Sequence, residues 1–183
     1  MKLLQNRAVA LLIALAVIAA STLITANMRI RRACSAVEET FFTVSSGKAP
    51  AYYIDQLIHE AASIAAAGDN YPSLAAETEA VRTARRALAA AEESRDIPAM
   101  YDACQALYAA VDDITAAAAE VDASAYDRQT FTDGASVVAG AARELAGSDY
   151  NRSVTEFTEK TFRRFPSSLF ARLFAIEAPA RFA

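Results

Sequence analysis

The chain has 183 residues, of which 54% are hydrophobic, and a net charge of −4 at neutral pH. This length leaves room for one membrane segment and one modest domain, and abundant alanine with only five glycines and five prolines favours helix. The negative balance excludes a general nucleic-acid-binding protein, because such proteins present a basic surface.

An uncharged segment follows the short basic N-terminus, residues 1–7. Residues 8–28 read "AVALLIALAVIAASTLITANM" and are followed by "RIRR". A helix needs about 20 apolar residues to cross a bilayer, so we expect a single-pass membrane anchor over residues 8–28. The alternative is a cleaved signal peptide, because "VIAAS" and "LITAN" offer small residues for cleavage. The length of the uncharged run favours a retained anchor.

Positive charges flank the anchor on both sides, so the positive-inside rule gives no clear orientation. The signal-like first residues favour an N-terminus in the cytoplasm. We therefore expect the domain of this cell-membrane protein to lie outside the cytoplasm.

Residues 29–165 are predicted to form an all-α domain. Apolar residues recur at helical spacing as far as Phe41, so the membrane helix should continue to about Val44. The sequence "SSGKAP" then predicts a turn, in which Gly47 closes one helix and Pro50 begins the next.

Two apolar stripes at helical spacing follow, separated by "GDNYPS" at residues 68–73. The turn chemistry fits either a hairpin between two helices or a break within one long helical arm, and the residues leave both open. The first stripe comprises Ile54, Leu57, Ile58, Ala61 and Ile64, and the second comprises Leu74, Val81 and Leu88.

The most regular predicted helix is "DIPAMYDACQALYAAVDDITAAAAEVD", with Asp96 as N-cap and Pro98 in the first turn. Its apolar residues form a heptad seam typical of up-and-down bundles, and its acidic residues fall on a solvated face. Cys104 lies in the seam, which favours a core residue, while a disulfide with Cys34 stays open. The seam comprises Ile97, Met100, Cys104, Leu107, Val111, Ile114, Ala118 and Val121, and the acidic residues are Asp102, Asp112, Asp113 and Glu120.

A last long helix is predicted to begin at Ser124, and Pro166 ends or kinks it. Its heptad phase shifts at "GSD", residues 147–149, and residues 166–183 follow as a short amphipathic tail. No stretch carries strand alternation of useful length, so the fold class is all-α. The first phase is carried by Phe131, Val138 and Leu145.

The C-terminal third carries a motif that resembles the end of the LemA family. The head of the chain is similar too, because one membrane helix precedes Asn27 and "VEETF" at residues 37–41. The chain departs from the family pattern where Phe157-Thr158 replaces a second Tyr-Asn pair and "YYIDQLIHE" replaces a basic helix start. The motif residues are Tyr150, Asn151, Val154, Phe157, Phe165, Pro166, Leu169, Ala171, Leu173, Phe174 and Phe182.

The resemblance implies a membrane-tethered, antiparallel, up-and-down bundle of four long helices at the bacterial cell envelope, in which "GDNYPS" is a break within one arm. It implies no enzymatic reaction. From the residues themselves, Tyr150, Val154 and Phe157 share one helical face. Asn151 lies beside that face, where its amide would bond to a neighbouring helix or cap a local break. We therefore interpret the motif as structural.

The C-terminal tail combines arginines with aromatic residues. If the last of four antiparallel helices returns to the membrane, this tail reaches the lipid headgroups, a boundary that suits basic and aromatic side chains. The expected membrane-surface residues are Arg163, Arg164, Phe170, Arg172, Phe174 and Arg181, with Phe165 and Phe182 interleaved.

No sequence pattern points to catalysis, and we expect no metal or cofactor. His59 is the only histidine and lacks the partner residues of zinc, di-iron or haem motifs, so with Asp55 it fits a solvated surface pair. We expect a non-enzymatic interaction or scaffold module. Its partners are the lipid bilayer and an unidentified protein, and a homo-oligomer is compatible with the sequence. The alternatives are a ligand-sensing bundle with a pocket between helices and a secreted bundle released by signal cleavage.

Overall fold

The computed structural model describes residues 7–43 and 47–183, with side chains from residue 9 onward. The described part of the chain is helical and contains no strand, which confirms the predicted all-α class. Residues 1–6 of the predicted N-terminal segment and residues 44–46 of the predicted turn lie outside the described part. The α-helices are α1 (Arg7–Phe42), α2 (Pro50–Gly68), α3 (Ala75–Glu93), α4 (Ile97–Ala119), α5 (Ala125–Ala146), α6 (Tyr150–Phe157) and α7 (Ser167–Leu173).

The long helix α1 contains the uncharged run and continues beyond it to Phe42, close to the predicted end. Val9–Phe42 is long and apolar enough to cross a membrane, and none of its most hydrophobic window is buried in the structure. A membrane supplies the apolar surroundings that such side chains lack in water.

Helices α2 to α5 pack against one another through their predicted apolar stripes. Helix α2 lies against α3 and α5, and α4 lies against α3 and α5. The α2–α5 pair is antiparallel, because Tyr53 reaches Glu144 at one end and Tyr71 reaches Asp127 at the other. The predicted α4 seam is buried from Ile97 to Ala118, and the four acidic residues predicted for the solvated face are exposed.

The segment between α2 and α3 is a hairpin turn, with a short 3₁₀ helix at Pro72–Leu74. Arg82 of α3 forms an ion pair with Asp69 at the end of α2, so the two helices lie side by side. At the other end, burial and then the charge of Asp55 raise the pKa of Glu92. This corrects the arrangement that the family resemblance implies, in which residues 68–73 interrupt a single arm.

Polar caps begin α4 and α5 at the predicted residues. The Asp96 carboxylate accepts a hydrogen bond from the Ala99 N–H at 3.0 Å, and the Ser124 hydroxyl accepts one from the Asp127 N–H at 3.0 Å. Each cap satisfies one of the N–H groups that the first turn of a helix leaves without an internal partner. Pro50 begins α2, also as predicted.

The predicted last long helix is shorter than its periodicity indicates. Helix α5 ends at Ala146, with Gly147 as its C-cap, and α6 begins four residues later at Tyr150. Helix α6 continues into a π-helical turn at Thr158–Phe162. The phase shift at "GSD" therefore marks a real helix end, because Gly147 stops α5.

The chain divides into two compact units, which we describe separately. The first comprises residues 1–38 and 153–179, and the second comprises residues 39–152 and 180–183. The second unit contains α2 to α5 and also the last four residues of the chain.

Candidate functional site

The Tyr-Asn pair at the start of α6 binds the backbone of the C-terminal residues. The Asn151 amide donates to the Phe182 carbonyl at 2.7 Å, and its oxygen accepts from the Phe182 N–H at 2.9 Å. The Tyr150 hydroxyl donates to the Ala180 carbonyl at 2.6 Å. We call these two side chains the C-terminal clamp.

An aromatic cluster holds the Phe182 side chain within the same unit. The Phe182 ring lies 5.4 Å from the Phe41 ring and 5.3 Å from the Tyr101 ring, the latter edge to face. Tyr150 packs edge to face on Phe41 at 5.1 Å. Such pairs contribute about 0.5–1.5 kcal/mol each beyond the area they bury, so the cluster anchors the chain end.

Arg95 fixes the end of α1 that supplies Phe41 to this cluster. Its guanidinium pairs with Glu39 at 2.7 Å and lies 3.9 Å over the Phe42 ring. The clamp and the cluster thus hold the C-terminal residues in two ways. Polar groups bind the backbone, and apolar rings enclose one side chain.

The clamp was not predicted from the sequence. Asn151 bonds to the backbone of Phe182, in the irregular residues after α7. Phe182 is buried, so it is unavailable for the membrane contact predicted for it. No periodic signal reveals this pairing, because the segment after α7 is not helical. A phenylalanine next to the chain end was the only local indication.

The remaining motif residues lie in the first unit. Val154 is buried, and the half-buried Phe157 ring lies 6.5 Å from Phe162. Phe165 is 82% exposed, and Pro166, joined to it by a cis peptide bond, is exposed too.

A cleft of about 600 Å³ lies between the π-helical turn and the segment after α7. We call it the basic cleft, because Arg163 and Arg172 line it beside Ser168. Apolar walls come from Phe162 and Ile176, and Glu177 adds one carboxylate. Of the other residues predicted for the membrane surface, Arg164 and Arg181 are exposed, while Phe170 and Phe174 are half-buried.

A shallow groove runs between α3 and α4 in the second unit. Alanines form nearly all of its floor, and Glu79, Thr83 and Asp113 stand among them. A groove of this kind lets another chain approach the helix backbones closely. We call it the alanine groove; its alanines are Ala76, Ala80, Ala84, Ala87, Ala106, Ala109 and Ala110.

Two buried groups in the second unit have shifted pKa values. Hydrogen bonds from Tyr71 at 2.6 Å and Ser124 at 2.8 Å lower the pKa of the Asp127 carboxyl. Burial raises the pKa of the Cys104 thiol to about 12, against a smaller lowering by its hydrogen bond to Tyr108. Neither cysteine forms a disulfide. Cys104 is therefore an unreactive core thiol.

The single histidine of the chain lies on helix α2. Asp55 and His59 are exposed, as predicted for a surface pair, and His59 Nδ1 lies 2.8 Å from the Asp55 carbonyl oxygen. No group of three or more His, Cys, Asp or Glu side chains that could hold a metal ion occurs in residues 7–43 and 47–183. Comparison with protein families, with curated proteins and with solved structures found no match to this chain.

Proposed function

We propose that this chain is a membrane-anchored, non-enzymatic scaffold of the LemA type at the bacterial cell envelope. In this proposal α1 crosses the membrane once, and α2 to α5 form an antiparallel four-helix bundle that presents a binding surface to a partner protein. The domain lies outside the cytoplasm.

The exposure of α1 is the observation that carries the proposal. None of its most hydrophobic window is buried in the structure, whereas the apolar stripes of α2 to α5 are largely buried. A helix about 20 residues long that is apolar all round matches the thickness of a bilayer core. The charged flanks at Arg29, Arg31 and Arg32 suit the headgroup boundary.

The alanine groove supports the interaction role. Its floor is apolar and open, and its small side chains let the backbone of a helical partner approach closely. Glu79 is paired with Arg82 and Arg86 within α3, so Asp113 supplies the negative charge that favours a partner helix with basic residues beside its apolar face.

Retention of α1 is tested first. Intact-mass measurement of the protein purified from membranes should give the full chain, and alkaline washing should leave it in the membrane fraction. A mass that lacks the N-terminal segment, with the protein in the soluble fraction, would instead establish the secreted alternative. A phosphatase fused after Ala183 should be active only if the domain lies outside the cytoplasm.

The interaction role is tested with an arginine placed in the groove. Ala106→Arg should abolish cross-linked partner complexes recovered from solubilised membranes, because it fills the apolar floor with a charged side chain. Ala116→Arg is the matched control, since Ala116 is exposed on the same helix and does not line the groove. Equal loss or equal retention of complexes in both variants would contradict the proposed surface.

A ligand-sensing bundle is separated from a scaffold by thermal shift. A ligand that binds only the folded protein raises the melting temperature according to its concentration over Kd. Under the scaffold proposal, small metabolites leave the melting temperature unchanged, and the cross-linked protein partner raises it.

A further inference from the structure

Residues 162–177, which we call the C-terminal segment, expose large apolar side chains to solvent. Phe165, Leu169 and Leu173 are 82%, 55% and 60% exposed; Leu169 and Leu173 lie on one face of α7, and Phe165 precedes the helix by two residues. A cluster of large apolar side chains on a protein surface marks a site that another apolar phase covers.

The segment lies beside α1 just beyond its uncharged run. The Glu177 carbonyl oxygen is 3.8 Å from the Cys34 Sγ, and both residues belong to the first unit. At 1.5 Å per residue, Cys34 lies about 9 Å beyond Met28 along the helix axis. The polar layer of a bilayer is about 5–8 Å thick on each side, so Glu177 lies near its outer edge.

The basic cleft opens in this same segment. Arg163 and Arg172 line it, and neither guanidinium has an ion-pair partner among the described residues. The Ser168 hydroxyl adds a donor on the same wall. Guanidinium groups suit phosphate, because they present several N–H donors in one plane. Glu177 is the one acidic residue that lines the cleft, so the lining is net positive.

We propose that the basic cleft binds the phosphate of an anionic phospholipid headgroup, with Phe165, Leu169 and Leu173 entering the apolar edge of the same membrane. Arg163 and Arg172 bind the phosphate oxygens, and Ser168 donates to one of them. This inference rests on the proposed function, because it requires α1 to span a bilayer.

A single-tryptophan experiment tests whether the segment touches lipid, since the chain contains no tryptophan. Phe165→Trp is placed in the full chain in phosphatidylglycerol nanodiscs, with or without bromine on the upper acyl carbons. Bromine should quench this tryptophan to about half or more of the extent seen for Leu15→Trp, which lies in the uncharged run. Tyr126→Trp gives the value for an exposed aromatic residue at the start of α5.

The two proposals fail in different ways in this experiment. Quenching of Leu15→Trp without quenching of Phe165→Trp above the Tyr126→Trp value would overturn the lipid contact and leave the anchor intact. Absence of quenching at Leu15 as well would overturn both.

Headgroup recognition is tested by counting lipids retained on the full chain in native mass spectra, titrated with phosphatidylglycerol or phosphatidylcholine. Arg163→Gln and Arg172→Gln should each weaken phosphatidylglycerol retention about fivefold, because each removes one charge from the phosphate. Arg164→Gln is the matched control, since Arg164 is exposed and adjacent but does not line the cleft. It should change retention less than about twofold, and Glu177→Gln should strengthen retention.

Three results would overturn the assignment. Equal retention of the two lipids would remove the preference for an anionic headgroup. A loss in Arg164→Gln equal to that in Arg172→Gln would show a diffuse charge effect and no cleft. Displacement of phosphatidylglycerol by a tenfold excess of inorganic phosphate would assign the cleft to free phosphate. Circular dichroism spectra that match the parent confirm that each variant remains folded.

Discussion

Helices α1 and α4 are both rich in apolar residues, yet these side chains are exposed along most of α1 and buried in α4. In α4, Leu107 and Ile114 are fully buried and separated by exposed acidic residues. In α1, the uncharged run is apolar on all sides, and Leu11, Leu15 and Ile18 are exposed. Periodicity, more than hydrophobic content, therefore distinguishes a helix that packs on protein from one whose apolar side chains stay exposed.

The C-terminal segment resembles α1 in that its large apolar side chains are exposed. Leu169 and Leu173 lie on one side of a short helix, as in a packed helix, but they remain exposed. An amphipathic helix with an uncovered apolar face is the form that lies at a membrane surface.

The largest expected effect comes from truncating a leucine in each region. Leu107→Ala should lower the free energy of unfolding by about 2–5 kcal/mol, because it leaves a cavity in the α4 seam. Leu173→Ala should change it by less than about 0.5 kcal/mol, since that side chain is 60% exposed. Urea unfolding of the detergent-solubilised protein, followed by circular dichroism, measures both. Equal losses of unfolding free energy in the two variants would mean that Leu107 and Leu173 contribute equally to the packed core.

Two glycines of α5 give a sharper test of close packing. A Cβ at Gly134 would lie 2.8 Å from Ile64 Cγ1 of α2, whereas a Cβ at Gly140 would meet nothing within 4 Å. Gly134→Ala should therefore destabilise by about 1–3 kcal/mol through overpacking. Gly140→Ala should stabilise by about 0.5–1 kcal/mol, because alanine is the better helix former. Thermal unfolding of the pair should give opposite signs, and a shared sign would contradict the α2–α5 contact.

The C-terminal clamp extends packed structure to the chain end in the second unit. Asn151→Ala removes both side-chain hydrogen bonds to Phe182. It should lower the free energy needed to detach residues 180–183 by about 1–2 kcal/mol. Carboxypeptidase should then release Ala183 and Phe182 about tenfold faster. Arg152→Ala is the control, because Arg152 is exposed and its ion pair with Asp149 is at the surface. Unchanged release from Asn151→Ala would mean that the clamp does not hold the tail.

The helices could be predicted from sequence, but the clamp could not. Heptad spacing placed Leu107 and Ile114 in a core, and Asp96 and Ser124 have the residue types of N-caps. Asn151 binds backbone atoms 31 residues away, in a segment without periodicity, so no side-chain pattern records the pairing. The α2–α3 hairpin could be predicted only in part. The sequence shows that residues 68–73 favour a turn, but the close approach of Gly68 to Thr78 depends on tertiary packing.

The smallest expected effect is a pH dependence of stability that arises from Asp127, at the start of α5. Hydrogen bonds from Tyr71 and Ser124 hold the pKa of Asp127 below its ordinary value of 3.8. The folded protein thus binds this proton less readily than the unfolded chain. The resulting stabilisation is complete above about pH 5 and is lost as the pH falls through the lowered folded pKa.

Asp127→Asn tests this contribution, because the amide cannot ionise. The decline in melting temperature between pH 5 and about pH 3 should be shallower in Asp127→Asn than in the parent. Asp112→Asn is the matched control, since it makes the same substitution at an exposed aspartate of α4. A parent-like slope in Asp127→Asn would contradict the role of this carboxylate. A parent-like slope in Tyr71→Phe would leave the Ser124 hydroxyl as the main donor to the Asp127 carboxylate, since this variant removes the Tyr71 donor and the bond that Tyr71 accepts from the Ser124 N–H.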